Sequence, residues 1–392
     1  MNANLLLLTL CQGLFLTNNV TFIAINGLVG LSMAPLGWMA TLPVMGYVVG
    51  GALSTGLVAK SQSRWGRRVS FQLGLLVALG SALLAAYAAA SHNFWLLVCA
   101  TVIAGYYSAN GQLYRFAAAE LSAPEFREKA VSWVLAGGLI GAVIGPNLAS
   151  RTRNLIEVPF VGAYLALGVV AVLGLVLMHF IRFPAVAAPK PGARGGAPLA
   201  EIMRRPIFVV SALTAAMGYG VMNLLMAATP LAMQVCGFGF ADAALVLEWH
   251  VIGMFAPGFF TGSLIKRFGA PTIMGVGVVL NFVCIAVALS GVDLHQFLVA
   301  LFLLGVGWNF LFTGSTTLSM KAWTPEEKDR GQAAINFCVF ATMAITSFAS
   351  GALVTTSGWT WLNIGSTVPV ALAGLALLWL RFRAESARPT SA

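Results

Sequence analysis

The chain is 392 residues long, 59% hydrophobic and only 9% charged, and its mean hydropathy is positive. A soluble globule of that composition would leave large apolar surfaces in water, so the sequence requires a bilayer as its solvent. The net charge of +10 raises nucleic acid as a partner, but Lys and Arg gather in alternate loops, which excludes it.

In chain order, apolar stretches fall near 4–30, 35–59, 69–90, 94–117, 130–150, 159–181, 207–234, 240–265, 271–290, 295–319, 331–353 and 361–380. Most reach the roughly 20 residues that cross ~30 Å of hydrocarbon at ~1.5 Å per residue, which predicts an all-α membrane protein of twelve transmembrane helices. Barrel strands would run about ten residues with alternating polarity, so a β-barrel is excluded. The first stretch has no basic n-region and no small-residue cleavage site, and it reads as helix 1 rather than a signal peptide.

Nineteen of the 22 basic residues lie in 60–68, 127–129, 182–205, 266–267, 321–330 and 381–388, while the opposite loops hold only Arg151 and Arg153. The positive-inside rule therefore puts both termini in the cytoplasm. The five cysteines have no paired spacing, so neither a disulfide framework nor a zinc module is indicated.

Only 183–206 reads as a linker, since Pro, Gly, Ala and basic residues replace the apolar pattern there. It separates an N-terminal six-helix bundle, 1–182, from a C-terminal one, 207–392. The halves repeat: Ser63-Arg64-Trp65-Gly66 answers Lys266-Arg267-Phe268-Gly269 at an offset of 203 residues. Pro124-Glu125-Phe126-Arg127-Glu128-Lys129 answers Pro325-Glu326-Glu327-Lys328-Asp329-Arg330 at 201. Two matches at nearly one offset point to duplication.

Gly262-Ser263-Leu264-Ile265-Lys266-Arg267-Phe268-Gly269 resembles the loop motif Gly-x-Leu-x-Asp-Arg-x-Gly of the major facilitator superfamily, with Lys266 in the acid's place. The first copy departs further, with Ser63 for Asp and Ala59 for the first Gly. Helix 5 carries Gly137-Gly138, Gly141 and Gly145-Pro146, similar to that family's Gly-Pro pattern. The resemblance implies a substrate site near the midplane and transport by alternating access.

His250 is the one histidine deep in a span. Met254 follows at i+4, and Met222 and Met226 in the preceding helix share that spacing, so each pair occupies one helix face. Met222 lies roughly 22 Å from the inner end of its helix and His250 roughly 15 Å from the outer end of its own, which are similar levels. Thioethers are soft neutral ligands that suit Cu(I), and imidazole accepts copper in either oxidation state. One Met-x-x-x-Met among 14 methionines is close to chance, but the buried His-x-x-x-Met at matching depth is not.

The two motifs resemble those of the CcoA-type copper importers, a bacterial branch of the superfamily that also includes riboflavin-type transporters lacking them. That resemblance implies copper uptake across the inner membrane for haem–copper cytochrome oxidase assembly. It places the ion on Met222, Met226, His250 and Met254, with copper as substrate rather than cofactor. A monomer, and a copper chaperone or oxidase assembly factor downstream, are the corresponding partner expectations.

Glu248 lies about 200° round the helix from His250 at ~100° per residue, so it reads as a coupling acid or a vestibule charge. Cys236 and Met233, near the outer end of helix 7, read as a relay for a soft ion or as packing. Helix 4 offers Tyr106, Tyr107, Asn110, Gln112, Tyr114 and Arg115, and helix 1 offers Asn18 and Asn19. This aromatic and polar set suits an organic solute such as riboflavin or an amphipathic drug, which stays open as the alternative substrate. Arg115 reads as a snorkelling or gating residue. No phosphate-binding loop, nucleophile constellation or Cys-x-x-Cys is present, so the expectation is a transporter and not an enzyme. With no signalling domain appended, a non-translocating sensor finds little support.

Overall fold

Leu, Ala and Gly runs with polar caps become helices wherever the backbone is described. The computed structural model describes residues 2–36, 39, 42–184 and 196–386. In order, these are α1 (Ala3–Met33), α2 (Leu42–Ala90), α3 (Phe94–Gly111), α4 (Tyr114–Glu120), α5 (Arg127–Ala136), α6 (Gly138–Thr152), α7 (Val161–Phe180) and α8 (Leu199–Arg204). They continue with α9 (Pro206–Val235), α10 (Phe240–Phe255), α11 (Gly258–Phe268), α12 (Ala270–Ser290), α13 (Leu294–Ser319), α14 (Lys328–Thr356) and α15 (Gly358–Ser386).

The caps are the ones side-chain chemistry favours. Asn2 accepts the Leu5 N–H at 2.8 Å and Asn93 the Leu96 N–H at 3.0 Å, each satisfying a donor that a helix start leaves orphaned. Proline occupies the first turn of α9 and of α12, where its missing N–H costs nothing.

Ten of the described helical segments are long and apolar enough to cross a bilayer, and α2 is 49 residues long, enough to cross twice. It does so because Gly66, at φ 80° and ψ 172°, breaks the helical backbone and turns the chain between two helical passes. The loop expected over 60–68 is thus compressed to a single glycine corner. The expected eighth span, 240–265, is also not one helix. Pro257 withholds a backbone N–H, and α10 stops at Phe255 before α11 resumes at Gly258. With α2 counted as two passes and α10–α11 as one, the chain crosses twelve times.

Two units are resolved by contact density. The first comprises Met1–Pro191 together with Gln332–Phe340, a stretch of α14. Within it α2 packs on α3 and α7, and α1 on α6 and α7. The glycines of α6 serve the α1 contact: a Cβ at Gly141 would sit 2.4 Å from Leu16 Cβ. The second unit comprises Gly192–Gly331 and Ala341–Ala392, with α13 against α9, α10 and α12, and α15 against α9 and α12. Its core is built from Val221, Leu225, Met233, Met274, Leu304 and Leu311 among others.

The expected linker 183–206 lies partly outside the described residues, which omit 185–195. Its described end carries α8 and then Arg205, the residue before α9. Arg205 pairs with Glu327 through both guanidinium nitrogens, Nη2 donating at 3.0 Å to Oε1, while the Ala197 N–H donates to Oε1 at 2.8 Å. The Arg205 hydrogen bonds are the main cause that holds the Glu327 carboxyl down at about 2.

Candidate functional site

In the second unit α13 is the helix that aligns α9 and α10. Thr214 Oγ1 meets Ser315 Oγ at 3.0 Å, and Gly218 faces Leu311 closely enough that a Cβ would lie 3.0 Å from it. Continuing this antiparallel register by one and two turns puts Met222 at the level of Gly307 and Met226 at the level of Leu303. On the other side α10 runs with α13: a Cβ on Gly305 would lie 2.4 Å from His250 O, so only glycine allows that approach. Asn309 Nδ2 donates to Met254 O at 2.7 Å and Asn309 Oδ1 accepts from Thr261 Oγ1 at 2.7 Å, which braces the α10–α11 break.

The levels therefore pair Met226 with His250 and Met222 with Met254, one turn different from the Met222–His250 pairing estimated from span limits. The difference arises because helix ends misjudge depth and the α13 register does not. His250 is fully buried, and its Nδ1 lies 2.7 Å from Leu301 O. A carbonyl oxygen only accepts, so Nδ1 carries the proton and the neutral ring keeps its lone pair on Nε2. Nε2 is buried and makes no hydrogen bond. Met222 and Met254 are buried and Met226 is half-buried, with Pro230 in α9 removing the N–H that the Met226 carbonyl would otherwise accept. Among the described residues no group of three or more His, Cys, Asp or Glu is placed to hold a metal.

The accessory candidates separate. Glu248 is exposed on α10, Cys236 is the exposed C-cap of α9, and Met233 is fully buried in the core, where it packs.

Level with Met222 and Met254 and extending one turn inward stands an aromatic group that the sequence reading did not single out. Trp308 and Phe312 are stacked at 4.9 Å and 18°. Tyr219 meets both edge-on, at 5.4 Å and 5.2 Å, and Phe255 meets Trp308 at 5.8 Å. The Trp308 Nε1–H is buried without a hydrogen-bond partner. The available signal was spacing: Trp308 and Phe312 are i, i+4 on one face of α13, and Trp308 precedes a polar Asn309 in an apolar span.

In the first unit Tyr107 is buried and meets Phe15 edge-on at 5.4 Å, while Tyr114 meets Phe71 at 4.8 Å. Asn110, expected in a polar lining, is buried. Its Oδ1 accepts from Ser70 Oγ at 3.1 Å and its Nδ2 donates to Tyr106 O at 3.1 Å, so it ties α3 to α2. Arg115 does not snorkel, because its head group is buried rather than raised to water. Nη1 donates to Gln112 Oε1 at 3.0 Å and Nη2 to Asn336 Oδ1 at 2.8 Å. Arg67 bridges Glu120 at 2.7 Å and donates to Gln332 Oε1 at 2.7 Å. Gln332 and Asn336 were missed in the sequence, although two amides at i, i+4 in an apolar span mark a hydrogen-bonding face.

Twelve passes, duplicated glycine corners and paired polar faces inside each unit describe a known architecture. Residues 5–256 and 249–392 match the model of the Major Facilitator Superfamily. The chain belongs to that superfamily. It is a multi-pass transporter of the bacterial inner membrane and not an enzyme.

Among relatives, the riboflavin transporter RfnT of Brucella anthropi is 37% identical over 98% of this chain and 97% of its own. The uncharacterized MFS-type transporter YddS of Bacillus subtilis is 27% identical over 87% of this chain and 82% of its own. The crystal structure of the human organic anion transporter MFSD10 superposes with a TM-score of 0.78 at 14% identity, covering 96% of this chain and 100% of that one, a likeness of fold. The superfamily resemblance read from the loop motif is therefore correct. The narrower resemblance to copper importers gains no support from these relatives, whose nearly full-length match at 37% is named for riboflavin.

Proposed function

We propose that this major facilitator protein imports a planar organic solute of the riboflavin type, by alternating access, across the bacterial inner membrane. The observation that carries the reading is the 37% identity to RfnT, spread over 98% of this chain rather than confined to one half. The aromatic group of Tyr219, Phe255, Trp308 and Phe312 supports it chemically. A fused heteroaromatic ring gains from stacked and edge-on aromatic partners, and its polar rim can accept the unpartnered Trp308 N–H. Expression in a riboflavin-auxotrophic strain without its own uptake system tests the reading. Growth at limiting riboflavin is expected, and no growth above the empty vector sinks it.

A second reading is favoured by one specific observation: His250 presents an uncommitted Nε2 at the level of Met226, with Met222 and Met254 one turn away. Histidine held through Nδ1 by a carbonyl is the usual posture of a metal-binding imidazole. Copper would then be the cargo of Met222, Met226, His250 and Met254. Unchanged cellular copper accumulation in the double variant Met222→Ala, His250→Ala excludes it.

A further inference from the structure

Among the described residues, two other than glycine hold a left-handed backbone: His92 at φ 51° and Phe160 at φ 69°. A Cβ is strained in that conformation, and such strain gathers at sites of function. His92 follows the second pass of α2. Its N–H donates to Ala89 O at 3.2 Å and the Asn93 N–H donates to Ala88 O at 2.9 Å, the paired closing bonds of a helix end whose left-handed position glycine usually fills. Phe160 precedes α7, and its N–H donates to Arg153 O at 2.8 Å, which closes the loop 153–160.

Both residues line one cavity. Its volume is about 330 Å³, and it lies where α1, the second pass of α2 and α7 meet at the outer side of the first unit. Val29, Ala89 and Phe160 make a buried floor, while Leu28, His92 and Arg153 stand exposed at the rim. Arg151 and Arg153 are the two basic side chains that the positive-inside pattern leaves outside, and Arg153 belongs to the lining. Its guanidinium lies 4.8 Å over the Phe160 ring, which engages the face of the planar fork and leaves the in-plane N–H groups at its edge. The His92 imidazole brings a ring N–H to the same rim. Glu157, the acid of that loop, is exposed and stands outside the lining.

An apolar floor beneath a cationic edge suits an amphipathic anion, because a small inorganic ion would forfeit hydration over Val29, Ala89 and Phe160. The surroundings point to its source. Toward the membrane α2 and α7 expose Leu83, Tyr87, Leu165 and Val169, the kind of apolar wall that a span turns to lipid.

We propose that this cavity binds an anionic phospholipid of the outer leaflet: Arg153 and His92 donate to its phosphate oxygens, and its glycerol and upper acyl chain lie on Val29, Ala89 and Phe160. The site does not depend on which cargo is carried.

Hydrogen exchange of the full chain in nanodiscs, read by mass spectrometry, tests it. The discs are of dioleoylphosphatidylglycerol, of dioleoylphosphatidylcholine, whose choline cation offsets its phosphate, and of the latter with inorganic phosphate added. Wild-type amides in 153–160 should exchange about tenfold more slowly in phosphatidylglycerol than in the other two, the fold expected for hydrogen bonds to a charged group. Arg153→Gln should abolish that difference and exchange like wild type in phosphatidylcholine. His92→Gly removes a donor and the backbone strain together, so it should weaken the protection while keeping or raising the melting temperature. It also carries the test if Arg153→Gln does not fold. Equal exchange in the two lipids, or protection unchanged in both variants, would overturn the proposal. Protection by inorganic phosphate in phosphatidylcholine discs would overturn the lipid as occupant and assign the cavity to a soluble anion.

Discussion

Gly66 and Gly269, 203 residues apart, hold the same left-handed backbone: φ 80° and ψ 172° at the first, φ 83° and ψ 149° at the second. Each ends an Arg-aromatic-Gly triplet, Arg64-Trp65-Gly66 or Arg267-Phe268-Gly269, and the guanidinium of each arginine lies over its aromatic neighbour, at 5.6 Å and 5.1 Å. The duplication visible in the sequence is thus a duplicated corner in space.

A Cβ at either corner is strained by about 1–2 kcal/mol. Gly66→Ala and Gly269→Ala should therefore lower the melting temperature of the purified protein to a similar degree. Gly56→Ala, in a helical position with open space around it, should leave stability unchanged or raise it slightly. Thermal unfolding of the three variants in one detergent checks this.

Glu327 gives the fold an acid-sensitive clasp on the linker. Its carboxyl is held at about 2, below its ordinary value, so the stability it supplies is complete above pH ~4.5 and is lost as pH falls toward 2. Glu327→Gln should destabilise the protein by about 1.5–3 kcal/mol at pH 7, the worth of hydrogen bonds to a charged group. The gap from wild type should close as pH drops from about 4.5, as melting curves across that range would record.

Trp308 is expected to bear on solute affinity. Stacking of a heteroaromatic ring on an aromatic side chain contributes about 1–3 kcal/mol, so Trp308→Ala should raise the riboflavin KM roughly 5- to 150-fold. Trp308→Phe retains the stack on Phe312 and loses only the indole N–H, and it should fall between the two. A concentration series of initial uptake rates in intact cells distinguishes these outcomes.

The architecture was legible because a bilayer leaves the chain few choices. Roughly 20 apolar residues must become a helix there, and Arg and Lys mark the cytoplasmic side. Breaks were less legible. The Pro257 stop splits a stretch that hydropathy reads as continuous, and the Gly66 corner removes a loop that the basic residues suggested. At the site, the sequence pointed to His250 and its burial, but the partner of Nδ1 is a backbone carbonyl in α13, which no side-chain pattern announces. Asn110 and Arg115 were hard to place for a related reason. Polar residues in apolar spans can face a path or bind a neighbouring helix, and only Ser70, Gln112 and Asn336 decide between these.

The central claim, that the cargo is a riboflavin-type solute, is tested most directly by counterflow. Liposomes holding purified protein and preloaded with unlabelled riboflavin should take up labelled riboflavin transiently above equilibrium, and excess unlabelled flavin outside should abolish the overshoot. Uptake indistinguishable from protein-free liposomes would contradict the account.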